Sequence, residues 1–325
     1  MELKGDKYLL YDHPYQVNFK FVVKRILSFI LNWILKLFFL FVKKDTRTCK
    51  YKLSVCSIFK NESESLMEWI EYHMVAGVEH FYLYNNNSED DYKTILRPYI
   101  EEGIVTLYDW PEYPGQASAY NHCWDNFRSD SQWIAFIDLD EYICPKYDEN
   151  IPLLLDRYSK YPILVIYWLF FGTSGELSRN RNKCLIEQLT SCYEKPVNIG
   201  KCIINTRWDI LPFSKKLIHL QYARVRGVLI PPINLQRNFI IFDIHRITTH
   251  NLPMQLNHYW SRTYNQYLSK QNRGGGMSGQ WITSSIFWRN EIFNVSKDYT
   301  IFRFLLKLKI VLQKRINHNN ESHSN

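Results

Sequence analysis

The sequence predicts an α/β fold, a largely parallel sheet flanked by helices. Short apolar runs alternate with stretches of helical period between residues 53 and 137, and the apolar runs end in polar clusters. With 46% hydrophobic residues over 325 positions, the chain can fill one large core.

Phe19 to Lys44 holds an apolar stretch, Ile26 to Val42, bracketed by Lys24-Arg25 and Lys43-Lys44. It is shorter than the ~20 apolar residues a spanning helix needs, and Ser28, Asn32 and Lys36 interrupt it. Together with Arg25 and Lys43 those interruptions recur at helical spacing as one polar stripe, while Ile26, Phe29, Ile30, Trp33, Ile34, Leu37, Phe38 and Phe41 cover the rest. The expectation is an amphipathic helix lying in a membrane interface rather than crossing it, with Trp33 and the lysines at headgroup level. The apolar run begins far from residue 1 and lacks a small-residue cleavage site, so no cleavable signal is expected.

Leu53 to Phe59 reads as a buried strand. Ser65 with Glu68 reads as a capping box opening a helix through Trp69 and Ile70, stopped by Gly77. Val78 to Tyr84 is the next strand, Asp90 to Leu96 a short helix, Ile104 to Leu107 a strand, Ala117 to Phe127 a helix, and Trp133 to Ile137 another buried strand. This βαβ series places a ligand at the carboxyl ends of the strands. Near the C terminus, Arg303, Lys307 and Lys314 recur at helical spacing between Ile301 and Arg315. That stretch is either a second surface-seeking helix or an ordinary one packed on the body. The expected organisation is a basic amphipathic membrane-associated segment (1–48), a catalytic domain (49–300), and a basic amphipathic helix with a frayed tail (301–325).

The formal charge is +8, and its distribution decides what it means. Residues 1–50 hold ten Lys and Arg against four Asp and Glu, and residues 301–325 five against one, which leaves the body at −2. Basic ends on a slightly acidic body fit an anionic lipid surface and argue against a nucleic-acid partner. The seven cysteines have no metal-ligand or redox spacing and read as reduced, buried thiols.

The sharpest chemical signal is Asp138-Leu139-Asp140-Glu141, directly after an apolar strand. Three carboxylates in four residues repel one another unless a cation sits among them. Oxygen ligands suit Mn²⁺ or Mg²⁺, which commonly completes its shell with nucleotide phosphates. Alternation places Asp138 and Asp140 on one side while Leu139 points to the core. Two earlier strands end likewise in polar clusters, Lys60-Asn61-Glu62 and Asn85-Asn86-Asn87-Ser88 with Asp90 and Asp91. A nucleotide lying across these ends would find acceptors for its base and ribose, although an Asn run is also ordinary turn chemistry.

In order, Phe59-Lys60-Asn61-Glu62, Glu68-Trp69-Ile70 with His73, Gly77-Val78 with His80-Phe81-Tyr82, Asn86-Asn87-Ser88 with Asp90-Asp91, Gln116 with Ala119-Tyr120-Asn121, and Trp133 through Tyr142 resemble glycosyltransferase family 92 and related family-2-like bacterial enzymes. Trp168 with Phe171-Gly172-Thr173-Ser174-Gly175, Lys201-Cys202-Ile203-Ile204, Asn257-His258-Tyr259, and Lys270 with Arg273-Gly274 continue the resemblance, which covers about residues 52 to 275. It implies a GT-A fold and transfer of a sugar from a nucleotide-diphosphate donor, with UDP-galactose as the guess, to a glycan or lipid-linked acceptor. Asp138 and Asp140 would hold the metal, with His258 as a candidate third ligand. Lys60, Asn61, Glu62, Asn87, Asp90, Gln116 and Asn121 would line the donor site, and Lys270 and Arg273 would clamp the diphosphate beside a mobile Gly274-Gly275-Gly276 loop.

Two departures stand out. Asn85 replaces the family's usual Asp, and Glu176 stands where relatives often have His. Inverting displacement needs a carboxylate base, for which Glu176 sits in the right segment, with Asp209 and Asp243 as rivals. A chain that docks on a membrane and works on lipid-linked or surface glycans, such as lipopolysaccharide, is expected at the cytoplasmic face of a bacterial inner membrane, as a peripheral or single-pass protein. The competing reading is a membrane-bound sugar-binding or scaffold protein that keeps the fold without turnover. A sugar nucleotidyltransferase would need a Gly-rich basic loop where Lys60-Asn61-Glu62 stands.

Overall fold

Aromatic and β-branched residues buried on both faces drive the central strands of the chain into one sheet. The computed structural model describes residues 18–249, 251–273, 287–288 and 290–322, without the side chains of 272–273 and 318–322. In chain order come α1 (Phe19–Leu40), β1 (Tyr51–Phe59), α2 (Ser63–Val75), β2 (His80–Asn85), α3 (Tyr92–Glu101), β3 (Val105–Asp109), α4 (Gln116–Phe127), β4 (Ser131–Phe136) and β5 (Glu141–Pro145). They are followed by α5 (Ile151–Leu155), β6 (Ile163–Phe170), α6 (Leu185–Gln188), β7 (Ser191–Cys192) and β8 (Gly200–Asn205). Three short strands, β9 (Asp209–Ile210), β10 (Ala223–Val225) and β11 (Val228–Ile230), lead to β12 (Met254–His258), α7 (Tyr264–Arg273), β13 (Ser296–Lys297) and a C-terminal helix, Leu305–Ser322.

Eight strands form one sheet in the order β3-β2-β1-β4-β8-β6-β12-β5. The first four are mutually parallel, as the βαβ series predicts. Beyond them β6 and β12 keep the same direction, and two strands are reversed in the largely parallel sheet: β8 runs antiparallel to both β4 and β6, and β5 antiparallel to β12. The sheet is therefore mixed. Its directions nevertheless bring one set of ends together: the carboxyl ends of β1, β2, β3, β4, β6 and β12 share an edge with the amino ends of β5 and β8. Gly200 opens β8 where a Cβ would lie 1.7 Å from the Ile166 carbonyl oxygen of β6, so only glycine lets the strands close there.

The capping box is also corrected. α2 begins at Ser63, and Asp90 Oδ2 accepts from the Ser63 amide at 2.7 Å. Glu68 instead accepts from Arg179 at 2.9 Å and from the Leu185 amide at 2.8 Å at the start of α6. Gly77 ends the helix at φ 101° as expected. The C-terminal helix packs on α2, with Arg315 paired to Glu71 at 2.9 Å and to Glu102. Of its two readings, the packed helix is the one observed. All seven cysteines are free thiols.

α1 forms over the expected stretch. Ser28 and Asn32 of its polar stripe are buried against the body while Arg25 is exposed, and Phe39 enters the core. Its apolar side chains face outward. Among the described residues no helix is long and apolar enough to cross a membrane.

Candidate active site

Strand order fixes where a ligand binds. β2 and β3 lie on one side of β1 and β4 on the other, so the crevice at the carboxyl ends of β1 and β4 is the topological switch point. Asp138 leaves β4 there and Glu62 leaves β1. β5, antiparallel to β12, returns Glu141 opposite His258 at the same edge.

Three of the carboxylates at this edge, Glu62, Asp138 and Asp140, each meet a cation. Lys201, fully buried at the amino end of β8, lies 2.9 Å from Asp138 Oδ2. Burial lowers the affinity of its ammonium for a proton, but Asp138 and Glu141 more than offset this and leave the group raised. Asp138 Oδ1 accepts from Gln116 Nε2 at 2.6 Å and from the Tyr120 hydroxyl at 3.3 Å. Lys270 on α7 reaches Asp140 Oδ2 at 2.6 Å while donating to the Trp260 carbonyl. Burial pushes the Asp140 carboxyl up, yet Lys270 and His258 hold it well below the usual carboxylate range. Arg262 pairs with Glu62 and donates to the Leu139 carbonyl. Glu141 is buried, accepts from Trp168 Nε1 at 2.7 Å and from the Asp138 amide at 2.9 Å, and burial pushes its carboxyl well up.

His258 lies at the end of β12 with Nε2 3.5 Å from Asp140 Oδ1. Its ring stacks on Phe170 at 5.0 Å. Burial lowers its pKa although Asp140 beside it acts in the opposite direction. Among the described residues no three His, Cys, Asp or Glu side chains are set to hold a metal ion. An ion that takes most of its ligands from phosphate needs only one or two protein donors, and Asp140 with His258, whose buried Nδ1 has no hydrogen-bond partner, fits that chemistry.

The remaining expected residues divide. Gln116 and Lys270 are at the site, holding its carboxylates. Lys60, half-buried, follows β1 at the same edge. Asn61, at φ 52°, ties the β1 loop to the β2 loop, its amide donating to Ser88 and its side-chain oxygen accepting from the Glu89 amide. Asp90 is engaged with the start of α2. Asn87 is exposed at φ 55° and donates to the Pro111 carbonyl at 3.3 Å. Asn85 bonds Tyr92 and Asp109, closing the β2–β3 edge. Asn121 is corrected to a brace, because both ends of its amide bond the Phe213 backbone. Asp209 is corrected too: β8 is antiparallel to β4, so the turn after it lies at the opposite end of the sheet, where Asp209 is exposed and paired with Arg128 at 2.6 Å. Asp243 is exposed in the segment that holds α1. Glu176 is half-buried in the loop after β6, and its carbonyl accepts from the Tyr264 amide that opens α7. The side chain of Arg273 and the loop 274–276 lie outside the described residues.

Sequence reasoning missed Lys201 and Arg262 as the partners of these carboxylates, and read Glu141 only as part of the acidic run. The available signal was a lysine inside an apolar strand, Gly200-Lys201-Cys202-Ile203-Ile204, since a lysine buried there demands an acidic partner.

The switch-point crevice is thus lined by carboxylates paired with two lysines and an arginine. Residues 50–208 match the model of Glycosyltransferase family 92, and the resemblance drawn from the sequence is borne out over that stretch. A Glycosyltransferase family 92 protein of Oryza sativa is 32% identical over 120 residues, covering 37% of this chain and 20% of that protein. A Galactan beta-1,4-galactosyltransferase of Arabidopsis thaliana is 30% identical over 128 residues, covering 35% of this chain and 25% of its own length. The matched stretch thus spans a quarter or less of these relatives. Among solved structures, S. aureus TarS 1-349 is 14% identical at a TM-score of 0.32 over 48% of this chain and 47% of that one, a likeness too slight to carry function.

Proposed function

We propose that the protein is a metal-dependent glycosyltransferase that moves a hexose, galactose from UDP, to a glycan or lipid-linked acceptor hydroxyl with inversion. The observation that carries this reading is the placement of Asp138 and Asp140, both within the stretch that matches the family 92 model, at the switch point. The names of the galactosyltransferase relatives support the choice of donor.

In this mechanism the donor's diphosphate enters beside Lys270, which exchanges part of its contact with Asp140 for phosphate oxygens. Asp140 and His258, with Asp138 alongside, would hold Mn²⁺ or Mg²⁺, whose charge offsets that developing on the departing diphosphate. Glu176 takes the proton of the acceptor hydroxyl as its oxygen bonds to the anomeric carbon. The bond from that carbon to the diphosphate oxygen breaks on the opposite face, and the electron pair leaves with the nucleoside diphosphate. Gln116, Tyr120 and Lys201 keep Asp138 oriented throughout.

The outward apolar face of α1 and the basic ends support work at a membrane surface, on surface polysaccharide or lipopolysaccharide at the cytoplasmic face of a bacterial inner membrane. One observation favours the sugar-binding reading without turnover: both aspartates already have lysine partners. A panel of nucleotide sugars with Mn²⁺, with and without chelator and with membrane extract as acceptor, separates the two. Chelator-sensitive release of nucleoside diphosphate from one donor supports the transferase, and binding without release from any donor supports the alternative.

A further inference from the structure

The inward polar stripe of α1 is held by the segment 238–246. Asn32 Oδ1 accepts from the Phe239 amide at 2.8 Å, and Lys36 Nζ donates to Asn238 Oδ1 at 2.8 Å. Arg246 donates to Ser28 Oγ at 3.2 Å and to the Arg25 carbonyl at 3.1 Å. These bonds fix the orientation of the helix, so Ile26, Trp33 and Leu37, each more than half exposed, stay turned outward. A water-exposed apolar face of this extent is costly unless something covers it.

Between α1 and the same segment runs a groove of about 600 Å³, lined by Val22, Ile26, Phe29 and Ile244 together with Arg25 and Arg246. The Arg246 guanidinium lies 5.2 Å from the Phe29 ring centre. Among the described residues no carboxylate pairs with Arg25, Lys36 or Arg246. Burial and mutual repulsion both lower Arg246 and Lys36, which is the mark of cations lacking a counter-ion. An occupant must therefore be anionic at one end and apolar along its length.

We propose that this groove binds one anionic phospholipid of the membrane surface, its phosphate between Arg25 and Arg246 and an acyl chain along the apolar face of α1. The lipid supplies the missing negative charge and continues the apolar face into the bilayer. Because α1 is bonded to the catalytic body, this lipid also sets how the crevice is presented to the surface. The proposal rests on the membrane-surface part of the function proposed above.

The test is sedimentation of the full chain with vesicles of phosphatidylcholine alone or with about 30 mol% phosphatidylglycerol. The wild type should prefer the anionic vesicles. Each basic side chain near such a surface is worth about fivefold in partitioning, so R25Q/R246Q should bind them about 25-fold more weakly. Its release of nucleoside diphosphate in detergent should not change, since both residues lie outside the crevice. S28A, which removes an acceptor of Arg246 but no charge, should bind as the wild type does. Equal binding to both vesicle types, unchanged binding by R25Q/R246Q, or an S28A loss as large as theirs would overturn the lipid site and leave surface docking standing. No binding to either vesicle type would overturn the membrane-surface reading as well.

Discussion

Lys201→Met removes a buried ammonium from the centre of the charged edge. Methionine fills a similar volume in a strand whose neighbours are apolar, so the change is mainly electrostatic. Removing one partner of a buried ion pair costs about 3–5 kcal/mol, because the other charge is left uncompensated. Asp138 keeps 32% of its side chain exposed, and water can recover part of that loss, which leaves about 2–3 kcal/mol. Urea unfolding of wild type and variant measures it. Asp138 and Glu141 raise the folded-state ammonium above its ordinary value, so its contribution is complete at neutral pH and is lost only as pH rises through that raised value. The deficit of the variant should therefore be flat from about pH 6 to pH 9. Lys201→Met/Asp138→Asn, which removes the directly paired carboxylate and leaves Glu141, whose carboxyl burial already pushes well up, should recover about half of it. A single-variant deficit under about 1 kcal/mol, or no recovery in the double variant, would refute the reasoning.

His73 and His219, held to about 3, and His80 and His245, held to about 4, are kept neutral by burial. Below the ordinary histidine value the unfolded chain takes up protons that the folded chain refuses, so the urea midpoint should fall steeply from about pH 6.5 to pH 4, and a flat profile would count against this burial. Gly200→Ala should destabilise the chain by about 3 kcal/mol in the same assay, since its Cβ meets a neighbouring strand's backbone. Glu176→Gln should lower kcat for sugar transfer by about 10²-fold or more, whereas Asp209→Asn, on the far edge, should leave kcat near wild type; the reverse pattern would exchange their roles. His258→Gln should weaken Mn²⁺ binding, read by titration calorimetry in the presence of UDP, by about tenfold or more.

The parallel quartet was legible because its signals are local: apolar runs of strand length, helical periods between them, and polar clusters at the strand ends. That Asp138 and Asp140 lie just beyond a strand end was legible for the same reason. What escaped depends on partners distant in sequence. Lys201 meets Asp138 only because β8 lies antiparallel beside β4, and that same reversal carries Asp209 to the wrong end of the sheet. The Ser65–Glu68 pattern fits a capping box, yet Arg179 and the start of α6 offer Glu68 stronger partners in the folded chain. The polar stripe of α1 was read correctly as a stripe. What it meets was not legible, since a helix pattern alone does not say whether its polar face meets water or the polar groups of another segment, here Asn238, Phe239 and Arg246.

The central claim is that the paired aspartates at the switch point work on a nucleotide sugar. It is tested most directly by following release of nucleoside diphosphate from UDP-galactose, with Mn²⁺ and membrane acceptor, by wild type and by folded Asp140→Ala. The account predicts release by the wild type, abolished by chelator and by the substitution; equal release by both proteins, insensitive to chelator, would contradict it.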